Sequence, residues 1–241
     1  MGFLGKNRSE AKPRAAALVV EFATINVGDA EAAVKAGADG LLFSWDGKDT
    51  GSLDSLKSVI DATKASNDKV VSGLHITGNW NTLTHENVEH LKEQGIHYII
   101  LPLEAPARLL SLHVKDFDLV VTVPMREGDM YPIFIRNLTT FDNIVAVQLD
   151  FGLSGGIGQM TIEDILQYRA VREAVRFPAL LNINADLSEA DAYTLTTLGV
   201  QAVVLTADAD SDTTKAHIKQ IRGLLEKVHQ EENDKAPTLK P

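Results

Sequence analysis

Five residues able to take up or hold a proton stand at, or just beyond, the ends of short apolar runs: Glu21, Asp46, His75, Glu104 and Asp150. Carboxylates and an imidazole gathered in one cleft can serve as catalytic general acid and base, because crowding raises one pKa while hydrogen bonding lowers another. The same oxygens, with His75, also suit a hard divalent ion such as magnesium or manganese. The residues themselves leave both uses open. Gln148, Asn182, Asn184 and Asp208 are suited to binding a substrate. Arg126, beside Glu127 and Asp129, offers either a fork to a substrate anion or an ion pair to Glu104 or Asp150.

Other chemistries lack their residues. There is no cysteine, which excludes disulfides, a thiol nucleophile and cysteine-held iron–sulfur clusters. No haem or iron–sulfur cofactor is expected. A Schiff-base aldolase needs a lysine near the end of an inward strand, and Lys69 lies at the opening of its apolar run instead. There is no H-E-x-x-H zinc spacing. His85 and His90, five apart, do not share a helical face. The segment 152–158 holds four glycines in seven residues. Gly155, Gly156 and Gly158 there could bring backbone N–H groups to an anionic ligand or cofactor, or let the loop close as a lid.

These residues are positioned by a chain that alternates β-branched apolar runs with amphipathic stretches. The runs at 17–24, 39–45, 70–76, 97–103, 118–124, 144–150, 179–184 and 201–207 read as eight strands. Helical stretches between them include 29–36, 52–65, 84–94, 161–175, 188–198 and 212–228. Eight strand–helix units in 241 residues predict an α/β fold, a single closed parallel (β/α)8 TIM barrel. The other arrangement, an open doubly wound sheet, would call for a G-x-G-x-x-G in the first unit, and none is there.

In such a barrel the outward face of each strand is apolar and the inward face alternates with it. Strand 6 then sends Val145, Val147 and Leu149 outward, and Ala146, Gln148 and Asp150 inward. The same rule turns inward Glu21, Ser44, Asp46, His75 and Thr77 from the first three strands. It does so for Tyr98, Pro102, Glu104, Thr122 and Arg126, and for Asn182, Asn184, Thr206 and Asp208. The polar members crowd toward the strand C-termini, where barrel enzymes keep their sites.

Three segments share one design: a helix end, a glycine (Gly37, Gly95 or Gly199), then an apolar strand. With the strand–helix order, they resemble the phosphate-binding (β/α)8 barrels, the group of the indole-glycerol-phosphate and thiamine-phosphate synthases. That resemblance implies the barrel fold over most of the chain. In that group glycine-rich loops after strands 7 and 8 cradle phosphate. Here those loops read Asn184-Ala-Asp186-Leu-Ser188 and Thr206-Ala-Asp208-Ala-Asp210-Ser211-Asp212. They are acidic and lack glycine, so the phosphate site does not carry over.

The formal net charge of −10 argues against nucleic acid and anionic lipid as partners. No apolar stretch is long enough to span a membrane, and no signal sequence is legible, so cytoplasmic placement is expected. Residues 1–14, with Lys6, Arg8, Lys12 and Arg14, read as a flexible basic arm; 15–228 as the barrel; and 229–241 as a flexible polar tail. The partner expected is a small molecule. The oligomeric state is open, a homodimer included. Two functions fit. One is a lyase or isomerase acting on a small anionic metabolite by carboxylate and imidazole chemistry. The other is a non-catalytic ligand-binding or assembly barrel.

Overall fold

The computed structural model describes residues 15–48, 51–125, 130–150 and 156–235. Eight parallel strands close into a barrel in chain order. They are β1 (Ala17–Phe22), β2 (Gly40–Trp45), β3 (Val71–Ile76), β4 (Tyr98–Pro102), β5 (Asp118–Pro124), β6 (Ile144–Asp150), β7 (Ala179–Ile183) and β8 (Ala202–Thr206). The ring closes where β8 pairs with β1, from Ala17↔Ala202 to Glu21↔Thr206. The α-helices are α1 (Val27–Ala36), α2 (Leu56–Ser66), α3 (His85–Glu93), α4 (Tyr131–Arg136), α5 (Ile162–Val175), α6 (Glu189–Thr197) and α7 (Ser211–Lys235). Between β4 and β5 the described chain forms only a 3-10 helix, Ala107–Ser111, with Pro106 at its N-cap. No described helix is long and apolar enough to cross a membrane.

Period-two alternation sorts the strand residues into two cores. Leu18, Val20, Phe43, Ile99 and Leu205 face the helices and pack with Ile60, Leu91, Tyr168 and Ile221. Val19, Leu42, Tyr98, Ile100, Val120 and Val204 fill the barrel's interior. One assignment needs correction. Val145, expected to face outward, belongs to the interior cluster beside Ala146. The β5–β6 register shifts between Leu119, opposite Ile144, and Val120, opposite Ala146. Val145 is the extra residue of a bulge, and a bulge breaks the alternation.

The interior is tightest where β3 meets β4. Gly73 pairs with Tyr98, and a Cβ on Gly73 would lie 2.3 Å from the Tyr98 ring. The fully buried Tyr98 fills the volume a larger residue at 73 would claim.

The N-terminal end is fastened by the last helix. Gly37 ends α1 in the left-handed conformation, φ 117°, which glycine adopts without steric cost. Arg222 of α7 donates to the Gly37 carbonyl from Nε (3.1 Å) and from a terminal nitrogen (2.8 Å). It also pairs with Asp39, whose carboxylate accepts from the Leu18 amide at 2.8 Å. Helix α7 runs on to Lys235, into the stretch from 229 expected as a tail. Its last turns are docked on α6, through Lys227–Glu189 at 2.6 Å and a Tyr193–Glu231 hydrogen bond. The predicted arm, residues 1–14, lies outside the described residues.

Arg222 joins the chain's last helix to its first helix end, so Arg222→Ala should lower stability without changing the fold. The expected loss is about 1.5–3 kcal/mol for hydrogen bonds to charged groups. It should fall toward the lower end, because Asp39 is 44% exposed. Urea denaturation with an unchanged slope checks it.

Candidate active site

Three strands bring together a carboxylate, an imidazole and a hydroxyl near the C-terminal end of the barrel. Glu21, on β1, accepts at Oε1 from Ser44 Oγ of β2 at 2.8 Å. The same oxygen lies 2.7 Å from His75 Nδ1 of β3. Neither Glu21 nor His75 is fully enclosed, with side chains 12% and 24% exposed. Burial pushes the Glu21 carboxyl up. The hydrogen bond and charge of His75, with the Ser44 hydroxyl, outweigh it and hold Glu21 below the usual carboxylate range.

This arrangement fixes the imidazole. A nitrogen facing a carboxylate is the donor, so neutral His75 carries its proton on Nδ1 and a lone pair on Nε2. Among the described residues Nε2 has no hydrogen-bond partner. The dyad therefore presents a basic nitrogen that is oriented and not yet engaged.

On the opposite wall a second chain of hydrogen bonds runs around the barrel. Thr122 Oγ1 of β5 donates to Gln148 Oε1 of β6 at 3.1 Å. Gln148 Nε2 donates to Asn182 Oδ1 of β7 at 2.8 Å. Gln148 is buried while Asn182 is exposed. With its oxygen engaged, Asn182 keeps both Nδ2 protons for another acceptor. In an eight-membered ring β3 and β7 stand four strands apart, so His75 and Asn182 face each other across the interior.

The other expected residues have their own commitments. Asp46 lies past the end of β2, is exposed, and accepts from the Lys48 amide at 3.0 Å while pairing with Lys48 Nζ at 3.4 Å. Asp208 lies past β8 and meets His217 of α7 at 2.9 Å. It lines a cavity of about 430 Å³ with Phe22, Thr24, Asp29, Thr214 and Lys215. Glu104 is exposed on the turn after β4, and Asp150 is exposed at the end of β6. Asn184 is exposed beneath Gly156, where a Cβ would come within 2.8 Å of Asn184 Nδ2. Gly158 sits over Asp191 in the same way, at 3.2 Å. Arg126 and Gly155 lie outside the described residues. Among the described residues no three His, Asp or Glu side chains converge as a metal ion would require. Among the described residues Glu21 and His75 thus gather no third ligand from Asp46, Glu104 or Asp150.

The helix ends at the strand 7 and 8 loops are filled from within. The Asp191 amide donates to Ser188 Oγ, and the Ser188 amide donates to Asp191 in return, closing a capping box on α6. At α7, Asp210 accepts from the amide and hydroxyl of Thr213, at 2.8 and 2.6 Å. What the sequence did not reveal is which inward groups pair. Ser44 and Thr122 were legible as inward, but not as the partners that hold Glu21 and Gln148.

No family model matches the chain, and no curated protein matches its sequence. Solved structures match its shape. A tryptophan synthase structure from Mycobacterium tuberculosis superposes with a TM-score of 0.66 at 15% identity, covering 88% of this chain and 93% of that one. The HpcH/HpaI aldolase from Desulfitobacterium hafniense gives 0.54 at 11%, covering 94% and 96%. The YdjI aldolase from Escherichia coli gives 0.57 at 13%, covering 88% and 90%. At such identities the similarity shows the closed (β/α)8 barrel fold. The neighbours are barrel enzymes, several of them aldolases by name.

Glu21 makes part of the stability pH-dependent. Its folded pKa is depressed, so the unfolded chain binds the extra proton and stability falls as pH falls. The contribution is complete above the unfolded glutamate value of about 4.3 and is lost as pH drops through the lower folded value. Glu21→Gln should lack this component. Urea midpoints measured in acid should therefore fall more steeply for the native chain than for the variant. Parallel curves would remove the pair's assigned role.

Proposed function

We propose that this chain is a proton-transfer enzyme of lyase or isomerase type, acting on a small carbonyl-bearing anion. The observation that carries this reading is the pair of facing elements: an imidazole oriented by a carboxylate on β3, and an amide donor oriented by a relay on β7. His75 Nε2 takes a proton from the carbon next to the carbonyl. Glu21 holds the ring in the required tautomer and stabilises the imidazolium that forms, the role a carboxylate plays behind a catalytic histidine. Asn182 Nδ2 donates to the carbonyl oxygen as negative charge develops there. The electron pair left on carbon then either receives the proton at a neighbouring position or expels a leaving group.

Arg126, one residue past Met125 in sequence, meets the substrate's anionic group in this reading. The aldolase neighbours add support of fold only. Two proteins of this shape carry the name aldolase. Since no inward lysine is present among the described strands, acid–base chemistry is favoured over a Schiff base.

Proton exchange tests this with a panel of candidate substrates. The chain is incubated in D2O with small oxo acids, and loss of the proton signal next to the carbonyl is followed by NMR. Exchange above background is expected for at least one acid. His75→Gln should lower it by roughly 10²–10⁴-fold, the usual contribution of a general base. Asn182→Ala should slow exchange while leaving the fold intact. Saturable binding without exchange would instead identify a non-catalytic ligand-binding barrel.

A further inference from the structure

We propose that the outer face of α4 and α5 joins two copies of this chain in a symmetric dimer, with two α5 helices packed antiparallel about Leu166. Among the described residues the exposed large apolar side chains are Val27, Met130, Ile133, Phe134, Ile162 and Leu166. All but Val27 lie on α4, its N-cap or α5, two helices in direct contact. Leu166 is 62% exposed and Ile162 79%. Scattered exposed apolar residues need no explanation, but a contiguous patch marks an interaction surface.

The patch is also rigid. Phe134 stacks on Tyr131 with ring centroids 6.4 Å apart, and the Tyr131 hydroxyl bonds to the Pro124 carbonyl at the end of β5. An aromatic already fixed in place loses little entropy on contact, as interface anchors do.

The sequence of α5 identifies the occupant as a second copy. A two-fold interface requires that if residue i meets j, then j meets i. With the dyad at Leu166, partners stand equally far from it in opposite directions. Glu163 then meets Arg169, three residues away on each side, and each charge is matched twice. Ile162 meets Ala170, so the most exposed apolar side chain falls on the smallest residue of the exposed stripe. Leu166 meets Leu166. Glu163, Arg169 and Ala170 are all exposed. The patch is locally neutral as well, with Arg136 and Arg169 against Glu163 and Glu173. In a chain of net charge −10 it offers a second, equally acidic copy an approach without like-charge repulsion.

Sedimentation velocity of the full chain, from low to high micromolar concentration, tests this. A species of twice the chain mass is expected. Leu166→Lys should weaken dimerisation by about thirty-fold or more, the scale of an interface hot spot. Its far-UV circular dichroism and melting temperature as a monomer should be unchanged, because the side chain is exposed. Glu163→Arg and Arg169→Glu should each weaken the dimer, and combining them should restore it, since the pairs are re-formed with signs exchanged. A native chain that stays monomeric throughout overturns the proposal. A dimer indifferent to Leu166→Lys places the interface elsewhere and overturns it too. A double variant no better than the singles overturns the antiparallel register.

Discussion

An eight-stranded parallel barrel encloses a space just wide enough for side chains to fill, and that limit governs this molecule. Alternate strand residues enter it, the β6 bulge at Val145 apart, and the space favours side chains that are apolar and closely packed or polar and hydrogen-bonded. The lower interior takes the first course. Val19, Leu42, Val120, Val204 and the fully buried Tyr98 close it, and Gly73 gives up its side chain to admit the Tyr98 ring. The upper interior takes the second course. Glu21, Ser44 and His75 satisfy one another on one wall, as do Thr122, Gln148 and Asn182 on the other. The candidate site begins where the apolar filling stops.

Satisfying buried polar groups and orienting them are, in this interior, the same act. A carboxylate enclosed to 12% exposure would be driven toward its neutral form without partners. His75 and Ser44 prevent that by occupying Oε1. In doing so they also set the imidazole's tautomer and aim. The amide relay works alike: burying Gln148 requires partners for both ends of its amide, and the partners it finds turn Asn182 so that its donors remain unspent.

Much of this was legible in the sequence, and the misreadings have local causes. The eight strands, their order and the inward placing of Glu21, His75, Gln148 and Asn182 follow from alternation between glycine-marked turns. Alternation holds only while a residue is in the ladder. Asp46 and Asp208 lie past Trp45 and Thr206, where the chain turns, and each finds a local partner, Lys48 or His217. The bulge that turns Val145 inward has no composition signal, because a valine suits either face. Pairing was also hidden. Glu21 and His75 are separated by β2, and which residues meet across an intervening strand depends on the stagger of the whole barrel. The last helix outran its expected end because polar residues such as Glu231 dock on α6, which periodicity within α7 does not reveal.

The capped helix ends bear on where charge can be recognised. A helix N-terminus at a barrel's mouth offers unsatisfied amides and a positive field, the usual means of holding an anion. At α6 and α7 those amides are engaged by Ser188 and by Asp210, and the carboxylates of Asp191 and Asp210 bring negative charge to the same place. An anionic substrate approaching this acidic chain would be repelled from the β7 and β8 loops. Its charge would have to be met by another side chain. In the proposed reaction that duty is assigned to Arg126, which follows Met125 in sequence, while Asn182 is the neutral donor proposed for the carbonyl. Recognition of charge and stabilisation of the reacting oxygen are in that proposal assigned to different residues.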